Sequence, residues 1–159
     1  MRDLGSIQAP QNAFLLNLGL ESLHVRMRRH CENALSVAKY LQTDPRVSWV
    51  SYPGLEGDKY YALAQKYLPD GVCGVVSFGI KGGRAAAEKF MRGLRLAAIE
   101  THVADARTCC LHPASSTHRQ MNDEELAAAG VPSDLVRFSC GIENAEDLIE
   151  DIRQALAGI

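Results

Sequence analysis

Four side chains of metal-binding or nucleophilic type, Cys109, Cys110, His112 and His118, stand within RTCCLHPASSTHRQM, residues 107–121. Thiolates and imidazoles bind zinc, and a thiol beside an imidazole is the usual pair in cysteine catalysis. The spacing argues against a metal. Neighbouring residues on a strand point to opposite faces, so Cys109 and Cys110 cannot readily share one ion. Zinc sites usually offer a C-x2-C or H-x3-H pair, and this stretch has neither. A reactive thiol needs a base or an electropositive setting. His102 and His112 could supply one only after folding, and nothing local enforces it. The sequence therefore predicts no metal site and no catalytic cysteine here. It predicts structural cysteines in a strand, followed by a polar loop.

GIKGGR, at 79–84, contains glycines and a lysine. It matches neither G-x-x-x-x-G-K-[ST] nor G-x-G-x-x-G, and reads as a glycine turn opening a helix. Arg137 is different. It lies mid-strand in SDLVRFSCGI, between Val136 and Phe138. A guanidinium in such a place needs a partner, and a carboxylate matches its fork through two parallel hydrogen bonds. That carboxylate belongs either to an internal Asp or Glu or to a ligand, and the residue pattern leaves both open.

The elements that would carry these residues show in the apolar spacing. Leu16, Leu20, Leu23, Met27, Cys31, Ala34, Ala38 and Leu41 recur every three or four residues, which predicts one long helix from about 11 to 43. Asp44-Pro45 ends it. FLLNLGL is apolar on nearly every side and so calls for cover on every side. VSWVSYPG, GVCGVVSFGI, LRLAAIE, RTCCLH and SDLVRFSCGI read as strands, and KYYALAQKYL, KGGRAAAEKFMRGL and NDEELAAAG as helices, the last of them capped at its first residue and ending on Gly130. Asn144 caps a last helix whose Leu148, Ile152, Ala155 and Ile159 share a face. In the last strand Val136, Phe138 and Cys140 face one way, and Leu135, Arg137 and Ser139 the other. The mixed order predicts an α+β fold: a long N-terminal helix, then a small, mainly antiparallel sheet of about four strands with helices on one face.

The chain is 159 residues long with a net charge of -2, one domain's worth of sequence without the basic footprint of a nucleic-acid or acidic-membrane binder. No stretch approaches the ~18 apolar residues of a membrane span, and the first residues lack an apolar signal core. Five cysteines without a dense framework fit a reducing compartment, so a cytoplasmic location is expected.

Five ordered stretches carry a resemblance: APQNAFLLNLGLESLHVRMRRHCENALSVAKYL, WVSYPGL, GVVSFGIKGG, LHPASSTHRQ and LVRFSCGIE. Together they resemble the C-terminal part of the Cys/Met-metabolism enzymes that use pyridoxal phosphate. Within that family the pattern is most similar to the O-acetylhomoserine sulfhydrylases. The resemblance implies the C-terminal domain of a fold-type I, aminotransferase-like enzyme. It implies that the whole enzyme replaces the acetyl group of O-acetyl-L-homoserine with sulfide or a thiol, as in homocysteine and methionine biosynthesis. Cystathionine gamma-synthase, methionine gamma-lyase and a non-catalytic interaction module are the alternatives. The resemblance further implies a small amino-acid substrate, no nucleic-acid or membrane partner, and a homotetrameric parent.

The family's cofactor lysine sits in an S-x-[ST]-K setting. The chain's lysines, Lys39, Lys59, Lys66, Lys81 and Lys89, stand in AKY, DKY, QKY, IKG and EKF. None is that motif. Residues 1–159 are therefore expected to be one domain, the C-terminal small domain, with the cofactor-binding domain absent, no cofactor-binding or catalytic residue of its own, and no activity alone. By the resemblance, Arg137 binds the substrate α-carboxylate. His102 stands where relatives carry a serine or asparagine touching the same group, and the backbone at Val103 contributes beside it.

Overall fold

The computed structural model describes Asp3, Gly5 and residues 7–159. The expected long helix is two. Helix α1 spans Pro10–Glu21 and α2 spans Leu23–Thr43, and Ser22 between them departs from α-helical geometry at φ -100°, ψ 2°. The break has a local cause. Arg26 donates from Nη2 to the Gly19 carbonyl at 2.6 Å and from Nε to Ser22 Oγ at 3.1 Å. A side chain thereby supplies a donor where the backbone ladder is interrupted, beside a glycine of low helix propensity. Helix α1 buries none of its residues: Phe14, Leu15, Leu16, Leu18 and Leu20 are all exposed. Helix α2 buries His30, Asn33, Ala34, Val37, Ala38 and Leu41, a single stripe at helical spacing.

Five strands, rather than about four, form one sheet: β1 (Val47–Ser51), β2 (Val75–Ile80), β3 (Ala98–Ile99), β4 (Cys109–Leu111) and β5 (Leu135–Ser139). Their order is β1-β2-β5-β4-β3. Three pairings are antiparallel and β3/β4 is parallel. The two-residue β3 is far shorter than LRLAAIE suggests, because Arg95, Leu96 and Ala97 instead give their amide protons to the Asp151 carboxylate at 2.8–3.1 Å. Helix α3 (Tyr61–Tyr67) follows β1. Helices α4 (Gly83–Gly93) and α6 (Ala145–Ala157) join α2 on one face of the sheet, and α5 (Asp123–Ala128) follows a 3-10 turn at Pro113–Ser115.

The core lies between that helical layer and the sheet. Val76, Phe78 and Ile80 of β2, Val136 and Phe138 of β5, and Cys140 just beyond it are fully buried, with Phe90 of α4 set edge-on against Phe78. Strand alternation then sends Ser77, Arg137 and Ser139 to the opposite face. The cap read at Asn122 is a full capping box with Glu125, and the Asn144 side chain caps α6 through Glu146 N–H.

Candidate functional site

Arg137 occupies the middle of the central strand, with Ser77 of β2 as its partner on one side and Leu111 of β4 on the other. On this open face lies a pocket of about 350 Å³, lined by Ser77, Thr101, Leu111, Thr117, His118 and Arg137, with Pro113, Val131 and Leu135 as further apolar wall. The pocket mixes one cation and small hydroxyls with a short apolar wall, a lining suited to a compact anion with an aliphatic tail.

The parallel pairing of β3 and β4 shapes this pocket. Parallel neighbours cannot be joined by a tight hairpin, so the chain after Ile99 must leave the sheet edge and return to Cys109 in the same direction. The connecting loop arches towards β5. There Arg137 Nη2 donates to the Thr101 carbonyl at 2.6 Å and to the His102 carbonyl at 3.4 Å. The loop's other end is pinned by Glu143, whose carboxylate accepts from Thr108 N–H at 2.6 Å and Thr108 Oγ1–H at 2.8 Å. Ile142 N–H adds a bond to the Ala106 carbonyl at 2.9 Å. Gly141 is required where this loop crosses: a Cβ there would lie 2.4 Å from the Ala106 oxygen.

Among the described residues no carboxylate pairs with Arg137, and its Nε is shut off from solvent with no hydrogen-bond partner. This bears on the alternative left open by the sequence: the guanidinium is not spent on an internal ion pair. A buried donor without an acceptor costs about 1–3 kcal/mol. The His102 imidazole is exposed and turned to acids of its own loop, with Nδ1 3.2 Å from Glu100 and 3.8 Å from Asp105. His102 meets Arg137 through its carbonyl. Val103 is exposed on the same loop.

The residues that suggested metal or thiol chemistry do other work. Cys109 and Cys110 face opposite sides of β4, and Cys110 packs its sulfur 3.4 Å from Met91 Sδ in the core. Burial pushes the Cys109, Cys110 and Cys140 thiols above their ordinary range, away from the thiolate a nucleophile needs. His112 is buried and bridges Ser115 Oγ at 2.8 Å and the Ser133 carbonyl at 2.9 Å, tying the 3-10 turn to the approach to β5. No cluster of three metal ligands occurs among the described residues. A larger cavity, about 920 Å³, lies between α2 and the 68–72 turn. Its thiol, Cys31, is likewise raised by burial. No lysine lines the Arg137 pocket, and Lys81 gives its ammonium to the Pro45 carbonyl at 2.6 Å.

The Cys/Met metabolism PLP-dependent enzyme family matches residues 1–157. The chain belongs to that family. It is 48% identical over 156 residues to a homocysteine synthase of Schizosaccharomyces pombe, a match covering 98% of this chain and 36% of that protein. It is 46% identical over 160 residues to an O-acetyl-L-homoserine sulfhydrylase of Leptospira meyeri, covering 100% of this chain and 36% of that one. A solved structure from Campylobacter jejuni, described as an O-acetylhomoserine (thiol)-lyase and containing N'-pyridoxyl-lysine-5'-monophosphate, superposes with a TM-score of 0.88 at 39% identity. That match covers 98% of this chain and 37% of the other. The chain thus spans little more than a third of the length of these relatives. Enzymes of this family depend on pyridoxal phosphate, and the lining of the Arg137 pocket, which includes no lysine, does not fit that cofactor's imine linkage.

Sequence reasoning passed over Ser77 and Thr101 as pocket residues, and singled out none of Leu111, Thr117 and His118 for this pocket: Leu111 and Thr117 fell in a strand and a polar loop, and His118 was weighed as a metal ligand and set aside. Alternation along β2 would have put Ser77 beside Arg137 had the pairing register been legible.

Proposed function

We propose that this chain is the small, C-terminal domain of a pyridoxal-phosphate-dependent sulfhydrylase, and that it supplies the clamp for the α-carboxylate of O-acetyl-L-homoserine. The observation that carries the reading is the Arg137 guanidinium, lining a pocket with no internal carboxylate and a buried, unpartnered Nε. A bidentate carboxylate would fix the amino acid's orientation and hold its reacting carbon in one place. The walls at Leu111, Pro113 and Leu135 shield that ion pair from water, which strengthens it. His102 and Val103 stay in the reading as neighbours of the carboxylate: Val103 through its backbone, and His102 through an imidazole that would have to turn from Glu100. Cofactor chemistry belongs, on this reading, to the remaining two-thirds of such an enzyme, which would also cover the exposed leucines of α1. The parent would work in the cytoplasm as a homotetramer.

The test is a chimera in which this chain replaces the matched segment of the Leptospira meyeri enzyme, assayed with O-acetyl-L-homoserine and sulfide. Homocysteine is the expected product. Cystathionine from cysteine, with no product from sulfide, would favour a cystathionine synthase. No product from either acceptor, in a folded chimera with bound cofactor, would contradict the proposal. The 159-residue chain alone, mixed with pyridoxal phosphate, is expected to show no absorbance band of a bound cofactor.

A further inference from the structure

Ser139 and Ala104 stand just outside the pocket, and nothing so far gives them a task. Ala104 is the one non-glycine among the described residues with a positive φ, at 59°. That conformation costs an alanine on the order of 1–2 kcal/mol and persists only where the surroundings impose it. The imposing group is visible. Ala104 N–H donates to Ser139 Oγ at 3.2 Å, and Ser139 is buried at 2% exposure. Ser139 lies two residues beyond Arg137 on the same strand, so both side chains rise from the same face. The hydroxyl therefore holds the loop at a point two to three residues from the carbonyls that grip Arg137 Nη2.

We propose that Ser139 is a positioning residue for Arg137: by anchoring Ala104 N–H it keeps the Thr101 and His102 carbonyls on Nη2, and so directs the rest of the guanidinium at the substrate carboxylate. The inference rests on the carboxylate reading of the pocket. The strain at Ala104 fits this role. A loop free to relax would swing Ala104 to negative φ and carry the two carbonyls off Nη2. An arginine with four rotatable side-chain bonds would then sample many directions, and ligand affinity would fall by the fraction of time it is misdirected. Glu143 and Ile142 fix only the far end of the loop, at Thr108 and Ala106. At the pocket end Glu100 N–H donates to the Cys110 carbonyl at 3.1 Å, closing β3, and beyond it the loop is tied to β5 by the bonds of Ala104 and Arg137.

The experiment is side-chain NMR of the arginine N–H groups on the 159-residue chain, with Arg137 assigned by its loss in Arg137→Lys. In the native chain the Nη2 protons should give distinct resonances, slowed in rotation by the Thr101 bond. Ser139→Ala should speed their exchange about tenfold, the scale of one lost hydrogen bond, with little change in Tm. Ser139→Thr and Ala104→Gly keep the acceptor and the donor, and should retain the native pattern. Titration with O-acetyl-L-homoserine should then shift Arg137 Nε–H with a Kd about tenfold weaker in Ser139→Ala. Unchanged Nη2 exchange in a folded Ser139→Ala variant overturns the proposal, as does an equal Kd. If the ligand shifts no Arg137 signal even in the native chain, the carboxylate reading fails, and Nη2 exchange still decides whether Ser139 positions Arg137.

Discussion

Replacing Asp151 by alanine should lower stability more than most single changes in this chain. Asp151 is 5% exposed, on α6, and its two oxygens accept the amide protons of Arg95, Leu96 and Ala97. Those three residues turn the chain from α4 into β3, so the carboxylate does the work that a longer strand would otherwise do. The three donors would not suffer equally. Ala97 is 6% exposed, and its N–H would be orphaned at a cost of about 1–3 kcal/mol. Leu96 is 41% exposed, so water can replace much of what its N–H loses. Arg95 is exposed as well. The sum is roughly 3 kcal/mol, which for a domain of this size lowers Tm by about 6–12 °C. Thermal unfolding followed by circular dichroism measures the shift, and urea titration should show a lower midpoint at unchanged slope. A Tm within about 2 °C of the native chain would refute the reasoning, because three charge-assisted bonds cannot vanish from this turn so cheaply.

Two further outcomes follow from the same geometry. Asp44 ends α2 and is gripped by Arg46 Nε and Nη2 at 2.9 and 2.7 Å, which holds its carboxyl at about 2, below the usual 3.8. A depressed carboxylate stabilises the fold above its unfolded value and loses that stabilisation as pH falls from about 4 through about 2; Asp44→Asn should remove about 1–2 kcal/mol at neutral pH and flatten that acid limb in urea titrations. Cys110 and Cys140 lie in the core, so alkylation by N-ethylmaleimide in the native chain should be slow at both and become fast on unfolding, read by mass spectrometry of peptides. Rapid native labelling of Cys110 would mean that β4 is not packed as described.

The α+β arrangement was legible because its decisive strand alternates cleanly: Val136, Phe138 and Cys140 inward, Arg137 and Ser139 outward. Caps at Asn122 and Asn144 were legible for the same local reason, a side chain satisfying its own helix's amide protons. The break at Ser22 was not. It depends on Arg26 reaching back seven residues, about two turns, to Gly19, and heptad-like spacing continues straight through it. The loop over Arg137 was also hidden. Its course follows from a parallel β3/β4 pairing, and pairing direction leaves no mark on so short a strand. Arg137 itself could be picked out as a mid-strand cation. Whether it was already neutralised could not, since that required knowing that no Asp or Glu reaches it after folding.

The central claim, that Arg137 receives the substrate carboxylate, is tested most directly by Arg137→Ala in the chimera with the Leptospira meyeri enzyme. Losing one partner of a shielded ion pair costs about 3 kcal/mol, roughly a hundredfold in kcat/KM for O-acetyl-L-homoserine, carried mainly by KM. A KM within twofold of the unsubstituted chimera would show that the carboxylate binds elsewhere.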